Sequence, residues 1–109
     1  MKAKKMKPIH PGEILVEEFM KPMGISQNRL ARDVGVPPRR INEICLEKRG
    51  ISADTSLRLG IYFKMGSDFW LNIQKDYEMD CVKRKEEKEL KQLIKPCPYL
   101  SLAPNAAVA

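Results

Sequence analysis

Within VGVPPRRINEICLEKRG, residues 34–50, two prolines are followed at once by Arg39, Arg40, Asn42 and Glu43, and the segment closes on Lys48 and Arg49. A guanidinium presents its N–H donors in a planar fork that matches phosphate oxygens and the paired acceptors of a guanine edge. Such groups on the outer face of one helix are suited to touching a nucleic acid. The stretch is also locally cationic, because residues 25–50 hold six Lys or Arg against three Asp or Glu. The whole chain repeats the bias: 20 Lys and Arg against 14 Asp and Glu leave a formal net charge of +6, which favours polyanionic partners without specifying a fold.

Other chemistries find less support. The single histidine, His10, has no second His or Cys near it. Metal sites recruit several ligands, so His10 reads as a structural residue ahead of Pro11. Glu17 and Glu18 are neighbours on a helix, where adjacent side chains diverge, and they read as a solvated face rather than an acid/base pair. Cys45, Cys81 and Cys97 are odd in number and contain no C-x-x-C, which argues against a disulfide framework or a zinc site and for a reduced setting. With no glycine-rich phosphate loop and no Ser/His/Asp set, no enzyme, cofactor or metal is expected. No apolar run reaches the ~18 residues of a membrane span, and the basic start MKAKKMKP lacks an apolar region behind it. The expected location is the cytoplasm, without a membrane partner.

The elements that must position these side chains follow from helix punctuation. A length of 109 residues predicts one domain, and the lack of any sustained alternating pattern predicts an all-α fold. A first helix opens near Pro11-Gly12 with Ile14, Leu15 and Phe19 on its apolar side. It is predicted to end near Lys21, because Pro22 would clash with the carbonyl four residues back. Ser26 is placed to cap a second helix, Gln27 to Val34, that buries Leu30, Ala31 and Val34 and stops at Gly35. Pro38 disfavours the α region at Pro37, so Pro37 suits the N-cap and Pro38 the first helical position of a third helix running to about Glu47. Ile41, Ile44 and Cys45 then face inward and Arg39, Arg40, Asn42, Glu43 and Leu46 outward.

Ser52 is placed to cap a fourth helix, Ala53 to about Met65, in which Gly60 suggests close packing and Gly66 the stop. Ser67 is expected to cap a fifth, whose Phe69, Trp70, Ile73 and Tyr77 close the core. Leu90, Leu93 and Ile94 keep helical spacing through the charged segment beyond, until Pro96 and Pro98. The predicted division is a basic arm over residues 1–9, a domain over 10–80, and a charged helical extension with a mobile tail over 81–109.

Two short helices joined by a glycine-containing turn are the helix-turn-helix layout, which ordinary helical hairpins share. The motifs HPGEIL, GVPPRRINEI, KRGI, ADTSLRL and DFWLN resemble those of Xre-type helix-turn-helix antitoxins of the HigA group, the virulence-associated protein I family, from His10 to about Asp80. The resemblance implies a five-helix phage-repressor-like domain that dimerises on palindromic operator DNA, represses its own operon and neutralises a ribosome-dependent mRNA interferase toxin. It puts Gln27 where such domains brace the DNA backbone, and Pro38, Arg39 and Glu43 where related repressors face base edges. Arg39 suits a guanine, Pro38 only an apolar contact, and Arg40, Lys48 and Arg49 look like phosphate contacts. Asn42 shares the outward face. At Leu46-Glu47 the chain departs from the family's usual Asn-Gly, and because Glu47 lacks glycine's freedom at positive φ, the resemblance does not carry over to the geometry of the loop after the third helix.

Trp70 or the Leu90, Leu93, Ile94 stripe is expected to supply dimer contact. Residues 1–9 and 81–94 are the candidate toxin-binding segments. The rival readings are a stand-alone repressor without a toxin and a non-DNA-binding interaction protein.

Overall fold

In the computed structural model, which describes residues 7–102, the described chain folds into five helices with no strand among the described residues. They are α1 (residues 11–23), α2 (Gln27–Val34), α3 (Pro38–Cys45), α4 (Ala53–Tyr62) and α5 (Phe69–Leu93), followed by a single 3₁₀ turn at Leu100–Leu102. The architecture is the expected all-α, five-helix, phage-repressor-like one. The basic arm up to residue 6 and the tail from residue 103, with the mobility expected there, lie outside the described residues.

His10 starts α1. Its Nδ1 accepts the Gly12 N–H at 2.8 Å, the ring is buried, and Tyr77 of α5 meets it edge-on at 4.9 Å. The imidazole is thus a helix cap, as the lack of neighbouring ligands suggested. Gly12 itself lies so close to the Ile44 carbonyl that a Cβ there would overlap it, which lets the first turn of α1 seat directly against α3.

Burial holds the His10 pKa below its ordinary value of 6.5, and the nearby Glu47 charge offsets only part of this. A group with a depressed basic pKa is protonated in the unfolded chain before the folded one, so stability falls as pH drops below about 6.5. The protonated ring also loses its acceptor and with it the cap. Wild-type protein is therefore expected to melt at a lower temperature at pH 5.5 than at 7.5, and His10→Asn, which keeps a capping oxygen that does not titrate, should lose most of that difference. Equal pH dependence in the two proteins would remove His10 as its source.

The first helix ends at Met23 on a left-handed Gly24, close to the stop expected near Lys21, but Pro22 does not break it. Over Leu15–Met20 the helix widens into π-type turns, with the Lys21 N–H reaching the Val16 carbonyl five residues back. Pro22 becomes an early residue of a fresh α turn, Lys21–Met23, where its missing N–H leaves no bond broken and the loosened register relieves the ring. The clash expected of Pro22 assumes a regular α spacing, which the π-type turns replace.

Leu15, Leu30, Ile41, Ile44, Leu59 and Trp70 are wholly buried and form the centre of the core. Phe19, Phe69 and Phe63 surround the Trp70 ring at 5.0, 5.3 and 6.3 Å. Trp70 therefore closes the core and has no surface for a dimer contact. Ser67 does not cap α5 as expected. The buried Ser56 of α4 does so instead, accepting the Leu71 N–H at 3.0 Å and donating to the Ser67 carbonyl at 2.7 Å. Helix α4 stops at Tyr62, short of Met65, because Lys64 takes a positive φ of 56° and the Met65 N–H closes back on the Gly60 carbonyl. The close neighbour anticipated for Gly60 is the loop backbone at Gly66, whose carbonyl would lie 2.7 Å from an added Cβ.

Helix α5 runs unbroken for 25 residues, across residue 80, and gives the molecule its long dimension of 54 Å. Its far end leaves Leu93 77% and Ile94 61% exposed. No helix among the described residues is long and apolar enough to cross a membrane.

Candidate nucleic-acid interface

Helices α2 and α3 pack on each other through Leu30, Ala31, Val34, Ile41 and Ile44, all buried as predicted. Ser26 caps α2 by accepting the Arg29 N–H at 3.1 Å. The turn rests on Gly35, whose φ of 75° lets the Val36 N–H return to the Ala31 carbonyl at 3.0 Å. An L side chain there would carry the strain of the left-handed region. Pro37 is extended at the N-cap and Pro38 begins α3, as their order required.

The outer face of α3 carries a linked polar network. Gln27, at the start of α2, accepts a hydrogen bond from Asn42 Nδ2 at 3.0 Å, which ties the start of α2 to α3. Arg39 Nε donates to Glu43 Oε2 at 2.8 Å, while Arg49 donates through Nε and Nη2 to Glu43 Oε1, both at 2.8 Å. The hydrogen bond from Arg39, then that from Arg49, holds the Glu43 carboxyl below the usual range, so it is ionised at neutral pH. Pro38, Arg39, Asn42, Lys48 and Arg49 are all exposed.

Arg40 behaves differently. It is only partly exposed and donates to Asp54 of α4 at 2.7 Å, a carboxylate that Arg58 also engages at 2.9 Å. Arg58 in turn donates to the Val34 carbonyl at 2.8 Å and the Gly35 carbonyl at 3.2 Å, satisfying the C-terminal end of α2. The bond to Asp54 uses Nη1 of Arg40 alone and ties this guanidinium to α4.

The loop after α3 keeps a capped geometry despite Leu46-Glu47. Glu47 adopts φ 62°, and the Lys48 N–H reaches the Glu43 carbonyl at 2.8 Å, the 6→1 bond of a Schellman cap. Without a glycine there, the chain accepts about 1 kcal/mol of left-handed strain at Glu47. Gln74 of α5 anchors the next stretch, accepting the Ile51 N–H at 2.8 Å and donating to Glu78 at 2.7 Å. The roles of Asp54, Arg58 and Gln74 were missed by sequence reasoning, whereas Ser56 falls with Leu59 and Gly60 on the inward face that their spacing predicts. Gln74 carried a signal, since it is a polar residue four positions from Trp70 on the buried side of α5.

A bracing helix, a glycine turn and a second helix with an exposed cationic edge define a helix-turn-helix protein. Residues 16–70 match the helix-turn-helix family, and the chain belongs to its Xre-type group. It is 55% identical to virulence-associated protein I of Dichelobacter nodosus over 74 residues, 68% of either chain. It is also 29% identical to antitoxin HigA-1 of Vibrio cholerae serotype O1 over 106 residues, which span 97% of this chain and 98% of that one. Among solved structures it is similar to the Pseudomonas aeruginosa antitoxin HigA with the higBA promoter, with a TM-score of 0.79 and 42% identity over 83% of this chain and 98% of the other.

Proposed function

We propose that this protein is a dimeric, non-enzymatic, cytoplasmic antitoxin that binds a palindromic operator in double-stranded DNA, represses its own toxin–antitoxin operon and neutralises an mRNA interferase toxin. The observation that carries the reading is the cationic outer edge of α3, presented on the same helix-turn-helix frame as the HigA antitoxin solved with its promoter. In this reading Arg39 meets a base edge, and Pro38, Asn42 and Glu43 lie along the same edge. Gln27 braces the backbone from α2, and Arg40, Lys48 and Arg49 engage phosphates. One short helix covers too few base pairs to specify a genomic site, so two copies must read half-sites about one helical turn apart. With Trp70 interior, the dimer contact falls to exposed apolar residues of α5 such as Met79, Val82 and Leu93.

Two assays test this. A footprint on the DNA upstream of its own gene should cover two half-sites, and co-expression with the adjacent reading frame should relieve growth arrest caused by that frame alone. Protection without growth relief leaves a stand-alone repressor. Growth relief without protection leaves a non-DNA-binding interaction protein.

A further inference from the structure

Glu43 is an acid on a surface that has to approach a polyanion, yet it sits in the middle of the cationic edge. Only 24% of its side chain is exposed, and both carboxylate oxygens are engaged: Oε2 by Arg39 from the preceding turn of α3, Oε1 by Arg49 from the loop that follows. One carboxylate thereby joins the front of α3 to the loop behind it. Arg39 is bound through Nε at 2.8 Å, with 83% of its side chain exposed, which leaves its two terminal nitrogens available for a pair of acceptors. Ion pairs of this exposure add little to stability, so the bridge matters chiefly for where it holds the two guanidiniums.

We propose that Glu43 is a specificity-determining positioning residue, which acts through Arg39 and Arg49 rather than by reading a base itself. This inference rests on the DNA-binding reading above. On DNA of unrelated sequence the carboxylate keeps two guanidiniums from adding phosphate contacts, and its charge repels the backbone. On the operator, Arg39 remains braced through Nε while its terminal nitrogens meet the N7 and O6 acceptors of a guanine. Removing the negative charge therefore strengthens indiscriminate binding and loosens the reader at the same time.

The test is titration of the full-length protein with its own promoter fragment and with a shuffled duplex of equal length, across a salt series. Glu43→Gln should raise affinity for the shuffled duplex about tenfold near 0.1 M salt and steepen its salt slope by roughly one or more, since each freed cation releases about one counterion. Preference for the promoter should fall by a similar factor. In an Arg39→Ala background the same change should lower the remaining preference by a clearly smaller factor, because only Arg49 is left to be freed. Glu43→Asp keeps the charge but shortens the reach, so it should lose part of the preference without the steeper slope. A discriminating wild type whose Glu43→Gln variant keeps the same slope and the same affinity for shuffled DNA overturns this inference alone. Wild-type protein that binds both duplexes alike overturns the DNA-binding reading, and this inference with it.

Discussion

Trp70→Ala is expected to destabilise the domain by about 3–5 kcal/mol, the cost of emptying a large aromatic site in a packed core. That is a large share of the ~5–15 kcal/mol that holds a typical domain together, and it should lower the melting temperature by roughly 15 °C or more. The ring is wholly buried and bounded by Phe19, Phe63 and Phe69, side chains drawn from α1, the end of α4 and α5 itself, so no single loop can collapse to fill the void. Its Nε1, however, has no hydrogen-bond partner among the described residues. A buried unpaired donor costs ~1–3 kcal/mol, so Trp70→Phe removes a penalty as well as some contact area. The phenylalanine variant should therefore recover most of the lost stability. Calorimetry of both variants checks this: an alanine variant melting within a few degrees of wild type would show that the site is not closed, and a phenylalanine variant as weak as alanine would show that Nε1 is satisfied.

Arg39→Ala should reduce promoter preference roughly ten- to hundredfold at each half-site, the usual worth of a bidentate contact to guanine. Lys48→Ala should behave differently, weakening promoter and unrelated DNA alike and flattening the salt slope by about one. The contrast follows from position. Arg39 stands in the first turn of α3 with its side chain 83% exposed, whereas Lys48 lies in the loop beyond the cap at Glu47. Titration of each variant on promoter and shuffled duplex at one fixed salt concentration measures both effects. An Arg39→Ala protein with unchanged preference would falsify the assignment of Arg39 as a base reader.

The starts of α2, α3 and α4 were legible because they depend on residues within one turn, whereas the cap of α5 comes from Ser56 on another helix. Ser26 and Ser52 each accept an N–H three residues on, and Pro37-Pro38 have a single workable order at a helix entrance. The buried stripes of α2 and α3 were legible for a similar reason, since the 3.6-residue period assigns each apolar side chain to a face before any partner is known. Helix ends were read less well. Lys64 and Glu47 take left-handed φ angles that local rules reserve for glycine, and π-type turns carry α1 past Pro22. In each case packing of the flanking helices offsets a local cost that the sequence alone would count against the conformation.

The amino-acid sequence by itself determined that the chain is all-α, that two short helices joined by a glycine turn lie between residues 26 and 47, and that Arg39, Asn42 and Glu43 share an outer face, because periodicity and capping are short-range. Tertiary structure decided which of those side chains act together. Glu43 bridges Arg39 and Arg49, Asp54 holds Arg40, Ser56 caps α5 from α4, and Gln74 pins the loop after α3. These partners come from different turns, loops and helices, so their meeting depends on the course of the intervening chain. Many rotamers of a long charged side chain are nearly equal in energy on an isolated helix, and only the placement of an opposite charge from elsewhere in the fold selects one of them.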